Sequence, residues 1–138
     1  MTKAKEIVLV SDSRAVLDKT GEALQKMIGS KMANYRFFID PKKFLWELLE
    51  GRLSYDLLID DIDTLEREKF ELIGIIKREE RFFHLPIIAV SADTSATFKE
   101  RGRKEGVTGW VIKPFESQCM ARIVRLTTGI SAEDAPAS

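Results

Sequence analysis

Cysteine, histidine and long apolar runs are all scarce in this chain of 138 residues. The single cysteine, Cys119, excludes an internal disulfide and fits a reducing compartment, so we expect a cytoplasmic protein. No apolar stretch has the length of a signal sequence or of a membrane span, so we expect no membrane insertion. The single histidine, His84, leaves no pair of imidazoles for a metal site.

An excess of charge of one sign is also missing. Lysine plus arginine and aspartate plus glutamate each number 22, so the chain has no overall attraction to nucleic acid or to anionic lipid. We therefore expect protein partners that are recognised locally. The length and the 44% hydrophobic content are those of one compact domain, which we place at residues 1–128. Residues 129–138 are small and polar, which predicts a flexible tail or the start of a linker.

Strand-like and helix-like patterns alternate along the chain. Short apolar runs predict buried strands, and apolar residues at helical spacing predict helices between them. The segment 95–105 has few apolar residues and contains Gly102, so it predicts only a short or mobile helix. The predicted strands are 6–10, 35–39, 57–59, 85–90 and 109–112, and the predicted helices are 14–28, 41 to Gly51, 66–81, 95–105 and a last one from about 116.

Five strand–helix units in this order predict a parallel sheet with helices on both faces. Ligands of such folds bind at the carboxyl ends of the strands. Four predicted strand ends each offer a polar group in this sequence: Asp12, Asp61, Ser91 and Lys113. This coincidence places the candidate chemistry at one edge of the sheet.

The third strand is followed by three carboxylates, Asp60, Asp61 and Asp63. Carboxylates crowded at a strand end repel one another, so the site is costly unless a cation, a lysine or protonation relieves the repulsion. This segment alone is equally compatible with a metal site and with a solvated acidic turn.

Four motifs together resemble the receiver domains of bacterial response regulators in two-component signalling, including the stand-alone chemotaxis receivers. They are VLVSDS, YDLLIDD, PIIAVSA and GWVIKPF, and the resemblance covers roughly residues 5–128. The spacings agree as well, because Ser91 follows Asp61 by 30 residues and Lys113 follows Ser91 by 22. The resemblance implies a flavodoxin-like fold with a five-stranded sheet in the order 2-1-3-4-5.

The resemblance also implies a phosphoryl switch. Asp61 would accept a phosphoryl group from a sensor histidine kinase or a histidine phosphotransfer protein. Asp12, Asp61 and the backbone carbonyl of Asp63 would hold Mg²⁺, weakly or only on activation. Lys113 would pair with a phosphate oxygen, aimed inward by a cis peptide before Pro114. The protein would then be a signalling receiver whose only catalysis is its own phosphotransfer and dephosphorylation.

Two residues depart from the family pattern. Ser11 stands where the family has an acid, which weakens metal attraction, although Ser11 can hold a metal-bound water. Trp110 stands where the family has Tyr or Phe, the aromatic ring that rotates inward when the Ser91 hydroxyl moves toward the phosphate with help from the Ala92 N–H. Because an indole is larger and needs a partner for its N–H, Trp110 is either this switch or a fixed aromatic anchor.

The resemblance further implies an output through the surface of the fourth helix, the fifth strand and the last helix. That surface would contact a downstream protein, with the chain a monomer or weak homodimer. Two alternatives remain open at this point. A pseudo-receiver would keep the fold as a phosphorylation-independent interaction module, which Ser11 and Trp110 favour. A Mg²⁺-dependent phosphohydrolase is the remote alternative, because Asp61 and Asp63 after an apolar strand are similar to the aspartate pair of haloacid-dehalogenase-type phosphatases.

Overall fold

Strands and helices alternate along the chain in the computed structural model, which describes residues 3–62 and 67–131. Within those two ranges, no helix is long and apolar enough to cross a membrane. The strands are β1 (Lys5–Val10), β2 (Ala33–Phe38), β3 (Leu57–Asp61), β4 (Ile87–Ser91) and β5 (Gly109–Ile112). The helices are α1 (Arg14–Met27), α2 (Pro41–Leu49), α3 (Arg67–Arg78), α4 (Ala96–Glu105) and α5 (Ser117–Thr128).

The strands form one parallel sheet in the order β2-β1-β3-β4-β5, which confirms the predicted fold class. The register places Val10 opposite Asp60 and Val90 opposite Asp61. Because the strands run in one direction, the residues that follow β1, β3, β4 and β5 meet at the same edge. The polar residues identified at the predicted strand ends therefore share one edge of the sheet.

Strand alternation divides the core into two layers. Val8, Leu58 and Ala89 point to the side covered by α2, α3 and α4, where Phe44 and Phe70 are also buried. Residues one step along the strands point to the opposite side, which is covered by α1 and α5. This second layer contains Ile7, Leu9, Ile59, Val90, Leu24 and Val124. By the same alternation, Asp60 points to the first side of the sheet and Asp61 to the second.

The segment predicted as a short or mobile helix forms a regular helix of ten residues, α4. Its start is capped by the Ser95 hydroxyl, which accepts a hydrogen bond from the Phe98 N–H. Its end is closed by Gly106, whose φ of 113° is a left-handed conformation. Phe98 is fully buried and holds the helix on the sheet. Caps and one aromatic anchor thus compensate for the weak apolar stripe.

Helix α3 ends at Arg78, three residues before the predicted limit. The chain turns here because the N–H groups of Phe82 and Phe83 both donate to the Glu79 carbonyl. The Lys77 ammonium donates to the Phe83 and Leu85 carbonyls, which ties the helix end to the approach to β4. Burial lowers the pKa of Lys77, as expected for an ammonium drawn out of water.

Replacing Tyr55 with Phe should make the protein more resistant to alkaline unfolding. Burial raises the pKa of the Tyr55 phenol above its ordinary value of 10, and its hydroxyl has no hydrogen-bond partner among the described residues. The folded state therefore favours the neutral phenol, so its stability is complete below the unfolded pKa and declines as pH rises above about 10. Urea unfolding at neutral pH and at about pH 11 should show a smaller alkaline loss in Tyr55→Phe than in wild type.

Tyr35→Phe, at the other of the two tyrosines of the chain, is the comparison at neutral pH. Burial raises the pKa of Tyr35 to about 12, but its hydroxyl donates to the Gly29 carbonyl at 2.9 Å. Tyr35→Phe should therefore lose about 1 kcal/mol at neutral pH, whereas Tyr55→Phe should lose none. An undiminished alkaline loss in Tyr55→Phe would contradict this account.

Candidate functional site

Asp61, the last residue of β3, is the centre of the candidate site, and its side chain is only 5% exposed. The Ser11 hydroxyl, directly after β1, donates to Asp61 Oδ2 at 2.6 Å. The Lys113 ammonium, directly after β5, lies 2.6 Å from Asp61 Oδ1. Each oxygen of this buried carboxylate is thus contacted by a donor from a different strand end. The contacts supply the polar partners that a buried charge requires.

The Ser11 hydroxyl has a defined orientation. Its oxygen accepts a hydrogen bond from the Ser13 N–H at 3.0 Å, and the residue is 2% exposed. A hydroxyl carries a single proton, and the proton of Ser11 is donated to Asp61. Ser13 is itself the N-cap of α1 and accepts from the Val16 N–H. The first turn of α1 therefore holds the loop that carries Ser11.

Lys113 is held by the fifth strand end. Its N–H donates to the Ser91 carbonyl at 2.9 Å, and its side chain is 18% exposed. The peptide between Lys113 and Pro114 is cis, as the resemblance implied. Lys113 therefore places a positive charge against the buried carboxylate of Asp61.

Further oxygen-bearing side chains line a cavity on one side of this pair. Ser11, Asp12, Asp60 and Asp61 line a cavity of about 450 Å³ between the strand ends, α2 and α3. Asp12 is exposed, whereas Asp60 is 3% exposed. Carboxylate and hydroxyl oxygens are the donors that Mg²⁺ prefers, so this set fits a magnesium ion in its chemistry.

The predicted ligand Asp63 lies outside the described residues. Within residues 3–62 and 67–131, no group of three or more His, Cys, Asp or Glu side chains is arranged to hold a metal. The described side chains therefore do not by themselves form a metal site. Ser11 contributes a neutral oxygen where an acid would contribute charge.

Ser91 ends β4 and is fully buried. Its hydroxyl oxygen accepts a hydrogen bond from the Asp93 N–H at 3.0 Å, which fixes the loop that begins at Ala92. Because Val90 pairs with Asp61, Ser91 lies one residue farther along its strand than the carboxylate. Ser91, and the loop that begins at Ala92, are thus at the same edge of the sheet as Asp61.

Trp110 on β5 is half-buried against α4. Its ring centroid lies 5.3 Å from that of Phe98, at an interplanar angle of 59°. A Cβ atom added to Gly102 would approach two indole carbons to 2.5 Å, so only glycine accommodates the ring at this position. Gly102 was interpreted from the sequence as a weakness in the helix. Its function in the fold is to make room for an unusually large aromatic side chain.

The roles of two residues of this region were not recognised from the sequence. The role of Gly102 could have been inferred from Trp110, because an indole on β5 requires space on the helix that faces it. Thr20 lies on α1 and is 2% exposed, and it lines a small second cavity that also reaches Ser11 and Asp61. The sequence signal for Thr20 was a hydroxyl on the apolar face of an amphipathic helix, four residues before Leu24.

Gly102→Ala should displace the Trp110 indole toward solvent. The added methyl group occupies space that the ring fills, and the ring is the more mobile partner. Acrylamide quenching of tryptophan fluorescence should increase in Gly102→Ala, measured in a Trp46→Phe background so that Trp110 is the one remaining indole. Ala121→Gly is a suitable control, because it alters a buried helical residue of the α5 layer and should leave Trp110 unchanged. Unaltered quenching in Gly102→Ala would show that the helix moves instead.

We compared the chain with protein-family models, with solved structures and with known sequences. No protein-family model matches the chain. The chemotaxis protein CheY4 of Vibrio cholerae has a similar structure, with a TM-score of 0.77 and 20% sequence identity over 91% of this chain and 99% of that protein. The fold is therefore that of the receiver domains in two-component systems.

Proteins related in sequence indicate the same class as the structural comparison. Chemotaxis protein CheY1 of Helicobacter pylori is 25% identical over 84 residues, which is 61% of this chain and 68% of that protein. Response regulator protein FleR of Pseudomonas aeruginosa is 23% identical over 122 residues, 88% of this chain but only 24% of FleR. The sequence relatives of the chain are thus CheY proteins and other response regulators, which confirms the family resemblance found in the sequence.

Proposed function

We propose that the chain is a phosphoryl-accepting receiver in which Asp61 is the nucleophile. The observation that carries the proposal is the environment of this carboxylate, which is buried at a parallel strand end with Lys113 on one oxygen and Ser11 on the other. A carboxylate oriented by a lysine and a hydroxyl is suited to attack an electrophilic phosphorus. Strand alternation turns the neighbouring Asp60 toward the α2–α3 layer instead.

The reaction consistent with this arrangement is an in-line transfer. An Asp61 oxygen attacks the phosphorus of a phosphohistidine, the phosphorus–nitrogen bond breaks, and its electron pair returns to the imidazole of the donor. The product is an acyl phosphate. Lys113 remains close enough to pair with an oxygen of the transferred group, whose negative charge replaces that of the carboxylate. The hydrogen bond from the Ser11 hydroxyl to Asp61 Oδ2 must break during the transfer, or the hydroxyl must move with that oxygen.

Asp12 and Asp61, with Ser11 through a water, would hold Mg²⁺ during this transfer, and Asp63 would supply the remaining protein ligand. When bound, the ion would offset the negative charge on the transferred phosphoryl group. With a hydroxyl in place of one acid, this site attracts the ion less strongly than a site with two acids after β1. Magnesium dependence with weak affinity is accordingly part of the proposal.

The donor in this proposal is a sensor histidine kinase or a histidine phosphotransfer protein, and the output is contact with a downstream protein. A phosphoryl group on Asp61 would draw the Ser91 hydroxyl and the Ala92 N–H toward its oxygens. Ser91 is the last residue of β4 and Ala92 begins the loop to α4, so their movement would alter the surface formed by α4, β5 and α5. Signalling by protein contact needs no nucleic-acid affinity, in agreement with the zero net charge.

A phosphorylation-independent interaction module is the second candidate, and the packing of Trp110 favours it. The indole fills the space above Gly102 and contacts Phe98, so rotation of the ring would leave an unfilled gap in the core. A fixed indole would hold α4 and β5 in one arrangement whatever the state of Asp61. A receiver should be phosphorylated and its Trp110 should respond, whereas in an interaction module Trp110 should not respond.

Asp61→Asn should abolish phosphorylation, because an amide cannot form the acyl phosphate. Intact-protein mass would be followed over a time course with acetyl phosphate and Mg²⁺, from times short enough to detect a label that hydrolyses quickly. Wild type should gain one phosphoryl group only when Mg²⁺ is present. Asp60→Asn is the matched control and should still be labelled. Persistence of the label in Asp61→Asn would place the phosphoacceptor elsewhere.

Ser11→Asp should tighten Mg²⁺ binding by about tenfold, because it restores a carboxylate beside Asp61. Isothermal titration with Mg²⁺ would compare it with wild type and with Ser13→Asp. The control adds the same charge two residues away at an N-cap, where aspartate is well tolerated. Equal gains in both variants would indicate a general charge effect, and an unchanged Ser11→Asp titration would mean that Ser11 is remote from the metal.

A further inference from the structure

A small cavity lies behind Asp61, on the α1 side of the sheet. The space open to the centre of a water molecule is about 10 Å³, which is at the lower limit of roughly 10–15 Å³ for holding one water. Three polar residues line it, Ser11, Thr20 and Asp61. The rest of the lining is apolar and consists of Leu9, Val10, Val16, Leu17, Ile59 and Val90.

Thr20 presents a hydroxyl that the described protein groups do not satisfy. The residue is 2% exposed, and its Oγ1 makes no hydrogen bond to any described residue. A helical threonine usually donates to the carbonyl four residues earlier. Thr127 and Thr128 do so, at 2.5 Å from the Ile123 carbonyl and 2.7 Å from the Val124 carbonyl. Thr20 makes no such bond to the turn before it, although a buried hydroxyl is normally paired.

We propose that one water molecule occupies this cavity and joins the Thr20 hydroxyl to the pair formed by Ser11 and Asp61. The three side chains have enough hydrogen-bonding positions to bind this water. Ser11 Oγ donates to Asp61 and accepts from Ser13, which leaves one acceptor position on that oxygen. A carboxylate oxygen accepts more than one hydrogen bond, so the Asp61 carboxylate also has capacity for the water. Two or three partners are what a buried water ordinarily has.

The water makes Thr20 a positioning residue for the carboxylate. Lys113 and Ser11 hold Asp61 from the strand ends, whereas the water holds it from α1, so that three directions define the plane of the carboxylate. A carboxylate fixed in this way presents one oxygen toward an incoming phosphorus at little cost in orientation. This consequence for the reaction rests on the proposed function, but the water site itself does not.

Crystal structures of wild type, Thr20→Val and Thr20→Ser at high resolution test the site directly. Valine has the shape of threonine without the hydroxyl, whereas serine keeps the hydroxyl and loses a methyl group. Wild type and Thr20→Ser should show one water in hydrogen-bond contact with residue 20 and with Asp61 or Ser11, and Thr20→Val should show none. In Thr20→Val the Asp61 carboxylate should rotate away from its contact with Ser11. An empty cavity in wild type, or a Thr20 hydroxyl bonded to the Val16 carbonyl, would overturn the proposal.

The rate of labelling by acetyl phosphate tests the positioning role. Thr20→Val should be labelled about fivefold to tenfold more slowly than wild type, the effect of one ordinary hydrogen bond, and Thr20→Ser should recover most of the rate. Equal rates for all three proteins, with the water lost from Thr20→Val, would refute the role in positioning. If wild type is not labelled at all, the proposed phosphotransfer fails, and the crystal structures still decide both the water and the orientation of Asp61.

Discussion

The neutralisation of one buried carboxylate is the constraint on which the functional edge of this protein depends. Asp61 is nearly inaccessible to water, and an ionised carboxylate in that position is tolerated only with close donors. Lys113 supplies the opposite charge and Ser11 a hydrogen bond, and the two arrive from strands on either side of β3. Removing one partner would leave a buried charge inadequately paired, which is among the more expensive defects in a protein.

The sheet makes this arrangement possible. Parallel pairing brings the ends of β1, β3, β4 and β5 to one edge, so residues that are 50 positions apart in sequence can share a hydrogen bond. Alternation then separates the two adjacent aspartates. Asp61 belongs with the layer of α1 and α5, and Asp60 with the layer of α2, α3 and α4. Both carboxylates line the larger cavity, and Asp61 also lines the small cavity on the α1 side of the sheet.

Most of the architecture was predictable from the sequence, because β-branched runs, helix caps and glycine stops agree with one another at nearly every element. The strand ends that carry Asp61 and Lys113 followed from the same pattern. Helix α4 was underestimated, since its stability comes from the Ser95 cap and the burial of Phe98, which depend on the tertiary fold. Thr20 was missed because no local pattern distinguishes a helical hydroxyl bonded to its own backbone from one facing a cavity.

The fit between Gly102 and Trp110 has a consequence for how this sequence can change. The glycine weakens a helix and the tryptophan exceeds the space beside an ordinary helix, so each residue is unfavourable without the other. A side chain at position 102 is acceptable only after the ring at position 110 becomes smaller. The two positions should therefore covary among relatives, with glycine accompanying the indole and larger residues accompanying a smaller ring.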